Sequence, residues 1–195
     1  MDTRHAQTTR SSQSHNDVSK DYVFRSYVEH LSRLAQERPS DRALIVVNAQ
    51  GETTLDYATL ERRSRALASE LQQRFPAGER ALILLDNDEH YVVAFFACLY
   101  AGMIAVPVFP PESAKQQHLA RLLAIAADSQ AACVLTSTTI IDVVASASEG
   151  FGSTELIPVD AVDESRAEHW IEHHPKRGDI AFLQYTSGST ATPKG

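Results

Sequence analysis

RALILLDNDEHYVVAFFACLYAGMIAVPVFPP, residues 80–111, is the stretch that decides the fold. Arg80 to Leu85 is a continuous apolar run that ends in the polar turn Asp86-Asn87-Asp88. A helix follows from about Glu89 to Gly102, and Ile104 to Val108 is a second apolar strand closed by Pro110-Pro111. Strands without polar alternation bury both faces. A helix between two of them joins them in parallel, with right-handed crossovers.

The same unit continues downstream. Ser113 caps a helix through Asp128, and Ala132 to Thr136 is a third strand. A short helix near Thr138 to Ser146, a loop with Gly150 and Gly152, and a strand Leu156 to Val159 come next. The pattern then predicts a helix over Asp163 to His173 and a last strand over Asp179 to Tyr185. Upstream, Phe24, Tyr27, Val28, Leu31, Leu34 and Ala35 recur at helical spacing until Pro39. Ala43 to Val47 and Thr53 to Leu55 read as strands joined by a turn at Asn48 to Gly51. Asp56 reads as the N-cap of a helix through Phe75, with Leu60, Leu67 and Leu71 on one face and Pro76 and Gly78 closing it. The fold class is therefore α/β, a doubly wound, mostly parallel sheet with helices on both faces.

Residues 1–19 carry almost no apolar side chains, which predicts a mobile tail outside the core. Met1 to Asn16 has no apolar secretory core. The longest apolar run, Tyr91 to Pro107, is too short and too interrupted to be a membrane span. A cytoplasmic location is the expectation. The net charge of −7 argues against a sequence-independent nucleic-acid partner, which needs a basic face. The two cysteines, Cys98 and Cys133, sit in apolar runs and read as small buried hydrophobes; the sequence leaves open whether they pair.

The chemistry is concentrated in Gln184-Tyr185-Thr186-Ser187-Gly188-Ser189-Thr190-Ala191-Thr192-Pro193-Lys194-Gly195. Hydroxyls, two glycines and a lysine follow an apolar strand directly. Glycine lets backbone approach a ligand, consecutive amides form an anion-binding nest, and lysine supplies a point charge for phosphate. The Walker A pattern is not met, because Lys194 is preceded by Pro193 and followed by Gly195.

The run Tyr185 to Gly195 resembles the phosphate loop of the adenylate-forming superfamily, which includes acyl-CoA synthetases, luciferases and peptide-synthetase adenylation domains. Ala191 departs from it, standing where many members have glycine. Ala101 to Pro111, Arg121 to Asp128 and Phe182 to Tyr185 are similar to the fatty acyl-AMP ligase branch. The resemblance implies that residues 20–195 form part of an N-terminal adenylation domain. It also implies that Thr186, Ser187, Gly188, Ser189, Thr190, Thr192, Lys194 and Gly195 hold nucleotide phosphates. ATP, Mg²⁺, a fatty acid, and an acyl carrier protein or a downstream polyketide or peptide synthase module would be the implied cofactors and partners. The family's adenine and ribose motifs, acyl tunnel and catalytic lysine lie beyond this loop, so no catalytic set is complete in the chain, and the chain alone is expected to be inactive. An acyl-CoA ligase of the same superfamily and a non-catalytic truncated module are the alternatives.

Other polar clusters read more plainly. His169 and His173 are spaced to share a helix face, with His174, Glu168 and Glu172 nearby. No third ligand is suitably spaced, so a solvated helix end is expected rather than a metal site. Asp86, Asp88 and Glu89 read as a polar turn and the favourable acidic start of a helix. Phe95, Phe96, Leu99 and Tyr100 read as core packing.

Overall fold

A computed structural model describes residues 23–48, 51–108, 116–146 and 154–185. The expected tail over residues 1–19, the closure at Pro110-Pro111, the cap at Ser113, and the loop with Gly150 and Gly152 lie outside the described residues, as do residues 49 and 50.

Helix α1 (Tyr27–Glu37) begins where the Ser26 side chain accepts from the Glu29 amide at 3.1 Å. Phe24 therefore precedes the helix, with its ring edge-on to Tyr27 at 5.2 Å. Strands β1 (Arg42–Asn48) and β2 (Gly51–Asp56) form an antiparallel hairpin. Helix α2 (Tyr57–Arg74) starts as expected at Asp56, whose carboxylate accepts from the Thr59 amide at 2.7 Å. The Thr59 hydroxyl and, after it, this amide hold the Asp56 carboxyl below its usual range.

The sheet itself contains β3 (Arg80–Leu84), β4 (Ile104–Val108), β5 (Cys133–Thr136) and β6 (Glu155–Pro158), all parallel, in the order β4-β3-β5-β6. Helices α3 (Glu89–Ala101), α4 (Gln116–Ser129) and α5 (Ile141–Ser146) make the crossovers. Alternate residues of the central strand serve two cores. Ala81, Ile83 and Leu85 face Val93, Ala97, Leu67 and Leu71 of α3 and α2. Leu82 and Leu84 face Leu122, Ile125 and Val144 of α4 and α5. A strand packed on both sides needs apolar residues at every position, which is why β3 and β5 read as unbroken runs. The doubly wound arrangement is thus as expected.

Cys98 and Cys133 are free and buried. Burial pushes both thiols up, Cys133 to about 12. Among the described residues no helix is long and apolar enough to cross a membrane.

Two expected elements differ. Over Asp163 to His173 the chain forms a 3-10 helix only at Glu164–His169 and is extended from Trp170 onward. The reason lies in the partners: the Ile171 amide donates to the Gln72 side chain at 3.0 Å, so it is not available to continue a helix. Over Asp179 to Tyr185 there is no regular strand. A single parallel bridge joins Phe182 to Ala105, with Ala105 N–H donating to Ala181 O at 3.1 Å and Leu183 N–H donating to Ala105 O at 2.9 Å. Asp179 to Phe182 are exposed, so no buried face extends the pairing.

Candidate functional site

Right-handed crossovers on opposite faces open a crevice at the carboxyl edge of a parallel sheet. The chain leaves β3 for α3 on one face, then crosses from β4 through α4 to β5 on the other. Ligands of such sheets bind beside the strand where this change occurs, here β3.

Three groups of described residues frame the place. Asp88 follows β3 and accepts from the amides of His90 at 3.0 Å and Tyr91 at 3.2 Å. It caps α3, and burial pushes its carboxyl up. This is the structural role expected for the acidic turn. After β5, Thr138 donates to Asp160 from both its amide, at 2.9 Å, and its hydroxyl, at 2.5 Å. Burial raises the Asp160 carboxyl, but these donors outweigh it, and the group sits below its usual range. Asp160 lies on the 3-10 turn after β6, so the contact ties two adjacent strand ends together.

The third group is the approach to the phosphate loop. Ala181 to Leu183 lie beside β4, and Leu183 and Tyr185 pack on the α4 side of the sheet. The Tyr185 hydroxyl donates to Asp128 of α4 at 2.5 Å. Burial and the adjacent Asp128 carboxylate push its phenol up to about 12, so it remains a neutral donor at ordinary pH. The predicted phosphate-binding residues Thr186, Ser187, Gly188, Ser189, Thr190, Thr192, Lys194 and Gly195 lie outside the described residues. Their donor chemistry fits a polyphosphate: hydroxyls and amides to donate to phosphate oxygens, and a cation for the net charge.

The expected His169 and His173 pair is separated, because the 3-10 helix ends at His169. The His173 ring instead lies against Gly102, at the end of α3. Among the described residues no cluster of His, Cys, Asp or Glu is grouped to hold a metal ion. A hollow of about 490 Å³ lies between α1, α2 and the 3-10 helix, lined by Ser32, Gln36, Glu61, Arg65, Glu164 and Glu168. No strand residue lines it, and its charges face one another rather than a common ligand.

Sequence reasoning passed over Gln72, which reads as one more polar residue on a long helix. In the fold its amide binds Ile171, 99 positions away in the chain. It also gave Trp170 no part. Trp170 is the only tryptophan, and that rarity was the one available signal.

Known proteins share this framework. The profile of the family described as "AMP-binding enzyme" matches residues 31–195. A long-chain-fatty-acid–AMP ligase of Mycolicibacterium smegmatis is 35% identical over 195 residues, covering 93% of this chain and 31% of the relative. A medium-chain-fatty-acid–acyl-carrier-protein ligase of Moorena producens is 36% identical over 147 residues, covering 73% and 25%. The crystal structure of a fatty acyl-adenylate ligase from L. pneumophila, in complex with acyl adenylate and pyrophosphate, superposes with a TM-score of 0.76 at 32% identity, covering 86% of this chain and 29% of that one. The chain therefore spans about a quarter to a third of the length of these relatives.

Proposed function

The chain belongs to the AMP-binding enzyme family, and from that membership we propose that it supplies the phosphate-binding part of a fatty acyl-AMP ligase. One observation carries the reading. The hydroxyl-rich, lysine-bearing run begins at Thr186, directly after the segment that Ala105 fixes to the edge of the sheet. The similarity to the fatty-acid–AMP ligase of Mycolicibacterium smegmatis supports the substrate class.

In the reaction proposed, a fatty-acid carboxylate oxygen forms a bond to the α-phosphorus of ATP. The bond from that phosphorus to the β-phosphate bridging oxygen breaks, and pyrophosphate leaves with the electron pair. Thr186, Ser187, Ser189 and Thr190 would donate to the phosphate oxygens, with the amides of Gly188 and its neighbours. Lys194 would balance the charge that grows on the departing pyrophosphate. Such groups act by positioning and charge stabilisation, not by covalent chemistry. Mg²⁺, when bound, would supply further positive charge against the phosphates, held chiefly through the nucleotide rather than by a cage of protein ligands. An acyl carrier protein, free or within a polyketide or peptide synthase, would then accept the acyl group.

ATP–pyrophosphate exchange on the full-length protein, with a panel of fatty acids and Mg²⁺, tests the proposal. Exchange should depend on the fatty acid and fall about 100- to 1,000-fold in Lys194→Ala, the scale seen for a lost charge-stabilising donor. Exchange indifferent to the fatty acid, or unchanged in Lys194→Ala, would overturn it.

A further inference from the structure

The run Trp170 to Asp179 belongs to no helix or strand, yet side chains from two helices grip it at defined atoms. Gln72 of α2 pairs with the backbone of Ile171 as a neighbouring strand would. Its Nε2 donates to Ile171 O at 2.8 Å, and its Oε1 accepts from Ile171 N–H at 3.0 Å. Trp170 Nε1 donates to Tyr100 O at 2.9 Å, satisfying one of the carbonyls that α3 leaves open at its last turn. The indole lies between the Tyr100 ring, 5.2 Å away, and the Arg65 guanidinium, 5.0 Å from its centroid. His173 then rests on Gly102, so closely that a Cβ there would come within 2.7–2.8 Å of the imidazole.

Beyond His173 the chain is bent and stiff. Pro175 fixes its own φ. Lys176 to Asp179 closes as a turn, with Lys176 N–H donating to the Asp179 carboxylate at 2.7 Å and Asp179 N–H to Lys176 O at 3.0 Å. The chain then reaches Ala105 through Ala181 and Leu183. The run is therefore fastened at the end of α3, at Tyr100 and Gly102, and the stem that follows it is fastened at Ala105 in β4. The second fastening is the weaker, a single bridge from the buried Ala105 to the exposed Phe182.

We propose that the strap Trp170–Asp179 sets the position of the phosphate-loop stem, Ala181 to Tyr185, and that Gln72 and Trp170 are positioning residues for nucleotide phosphate binding. This rests on the phosphate-loop reading above. With only one bridge at Ala105, the stem has no ladder to hold its register. The clip at Ile171 and Tyr100 supplies that constraint from the other end. If it opens, the stem can slide or lift, and the loop must be ordered when nucleotide binds.

The test uses the full-length protein with Gln72→Ala, Trp170→Phe and Lys194→Ala. Trp170→Phe keeps an aromatic ring between Arg65 and Tyr100 and removes only the indole donor. In Gln72→Ala the KM for ATP should rise about 5- to 10-fold with kcat within about twofold, the pattern of lost uniform binding. The KM for the fatty acid should stay as in the parent protein, and amide exchange at Leu183 and Ala105 should accelerate. Trp170→Phe should move the same quantities in the same direction, by less. If Gln72→Ala does not fold, Trp170→Phe decides the matter. An unchanged KM for ATP and unchanged exchange at Leu183, in whichever variant folds, overturn the proposal and leave the strap as packing alone. If Lys194→Ala retains full pyrophosphate exchange, it is the phosphate-loop reading that fails, whatever the strap variants do.

Discussion

The central strands and the carboxyl-terminal strap are held by different physics. Every residue of β5, and β3 from Ala81 onward, is buried, and their positions follow from two apolar cores that any similar set of side chains would recreate. The strap is mostly exposed and is fixed by a handful of directed bonds from Gln72 and Trp170 and by the packing of His173 on Gly102. Burial is non-directional and tolerant, whereas a hydrogen bond to a named carbonyl is not. In this chain the tolerant part provides the platform, and the directed part grips the run that precedes Ala181 to Tyr185.

That contrast can be broken at its strongest point first. Leu135→Ala should destabilise the fold by about 2–5 kcal/mol in urea titration, the range for deleting a fully buried leucine. A loss well under 1 kcal/mol would mean that β5 is not the keystone its burial implies. Gly102→Ala comes next, because it attacks the junction of the two regions. Gly102 has φ 72°, and an added Cβ would strike the His173 ring. A cost of about 1–3 kcal/mol is expected for a non-glycine residue held there. The double variant with His173→Ala should recover the steric share and keep the conformational one, which a double-mutant cycle separates.

The fold was largely legible because its signal is periodic. Ala81 to Leu85 and Cys133 to Leu135 are apolar at every position, which only a doubly covered sheet requires. Asp56 was legible as a cap because it precedes a helical pattern by one residue, and Asp88, read only as part of a polar turn and acidic helix start, caps α3. The strap was not legible. Gln72 looks solvent-facing on α2, and nothing local announces that its amide will pair with Ile171. The predicted last strand failed in the same way. Ile180 and Phe182 are apolar enough for a strand, but both are largely exposed, and pairing is decided by what lies alongside. Of the candidate site, the hydroxyls and lysine stand out as residue types in the sequence, while the contacts at Ala105 and Asp128 that hold the segment before them come from residues distant in sequence.

Two smaller effects sharpen the distinction. Asp88→Ala removes the acceptor at the start of α3 and should cost about 1 kcal/mol in thermal or urea unfolding, the typical worth of an N-cap. Its companion Asp88→Asn should cost little, since an amide oxygen still caps. Glu164 lies between Arg62 and Arg63, at 2.8 Å from each, and is about 40% exposed. Glu164→Gln should cost less than about 1 kcal/mol, shrinking further in high salt. Burial acts to raise the Glu164 carboxyl, but the two arginines outweigh it and hold it below its usual range. A carboxyl depressed in the folded state stabilises above its unfolded pKa and loses that contribution as pH falls through the folded value. The difference between the parent protein and Glu164→Gln should therefore vanish in acid, and a difference that grows in acid would refute the assignment.

The separation between Gln72 and Ile171, 99 positions along the chain, also fixes an order of events during synthesis. Tyr100 O lies 70 positions before the indole that will satisfy it. As the chain emerges from its amino end, α2, α3 and the first strands can meet long before Trp170 exists. In that interval the Tyr100 carbonyl has the longer contact from the Gln72 amide, at 3.4 Å, and lacks the indole; closing so long a loop carries an entropic cost that nearby contacts do not. The grip on the strap is thus acquired late, after the sheet it leans on, and the approach to the phosphate loop is among the last stretches of the described chain to find its place.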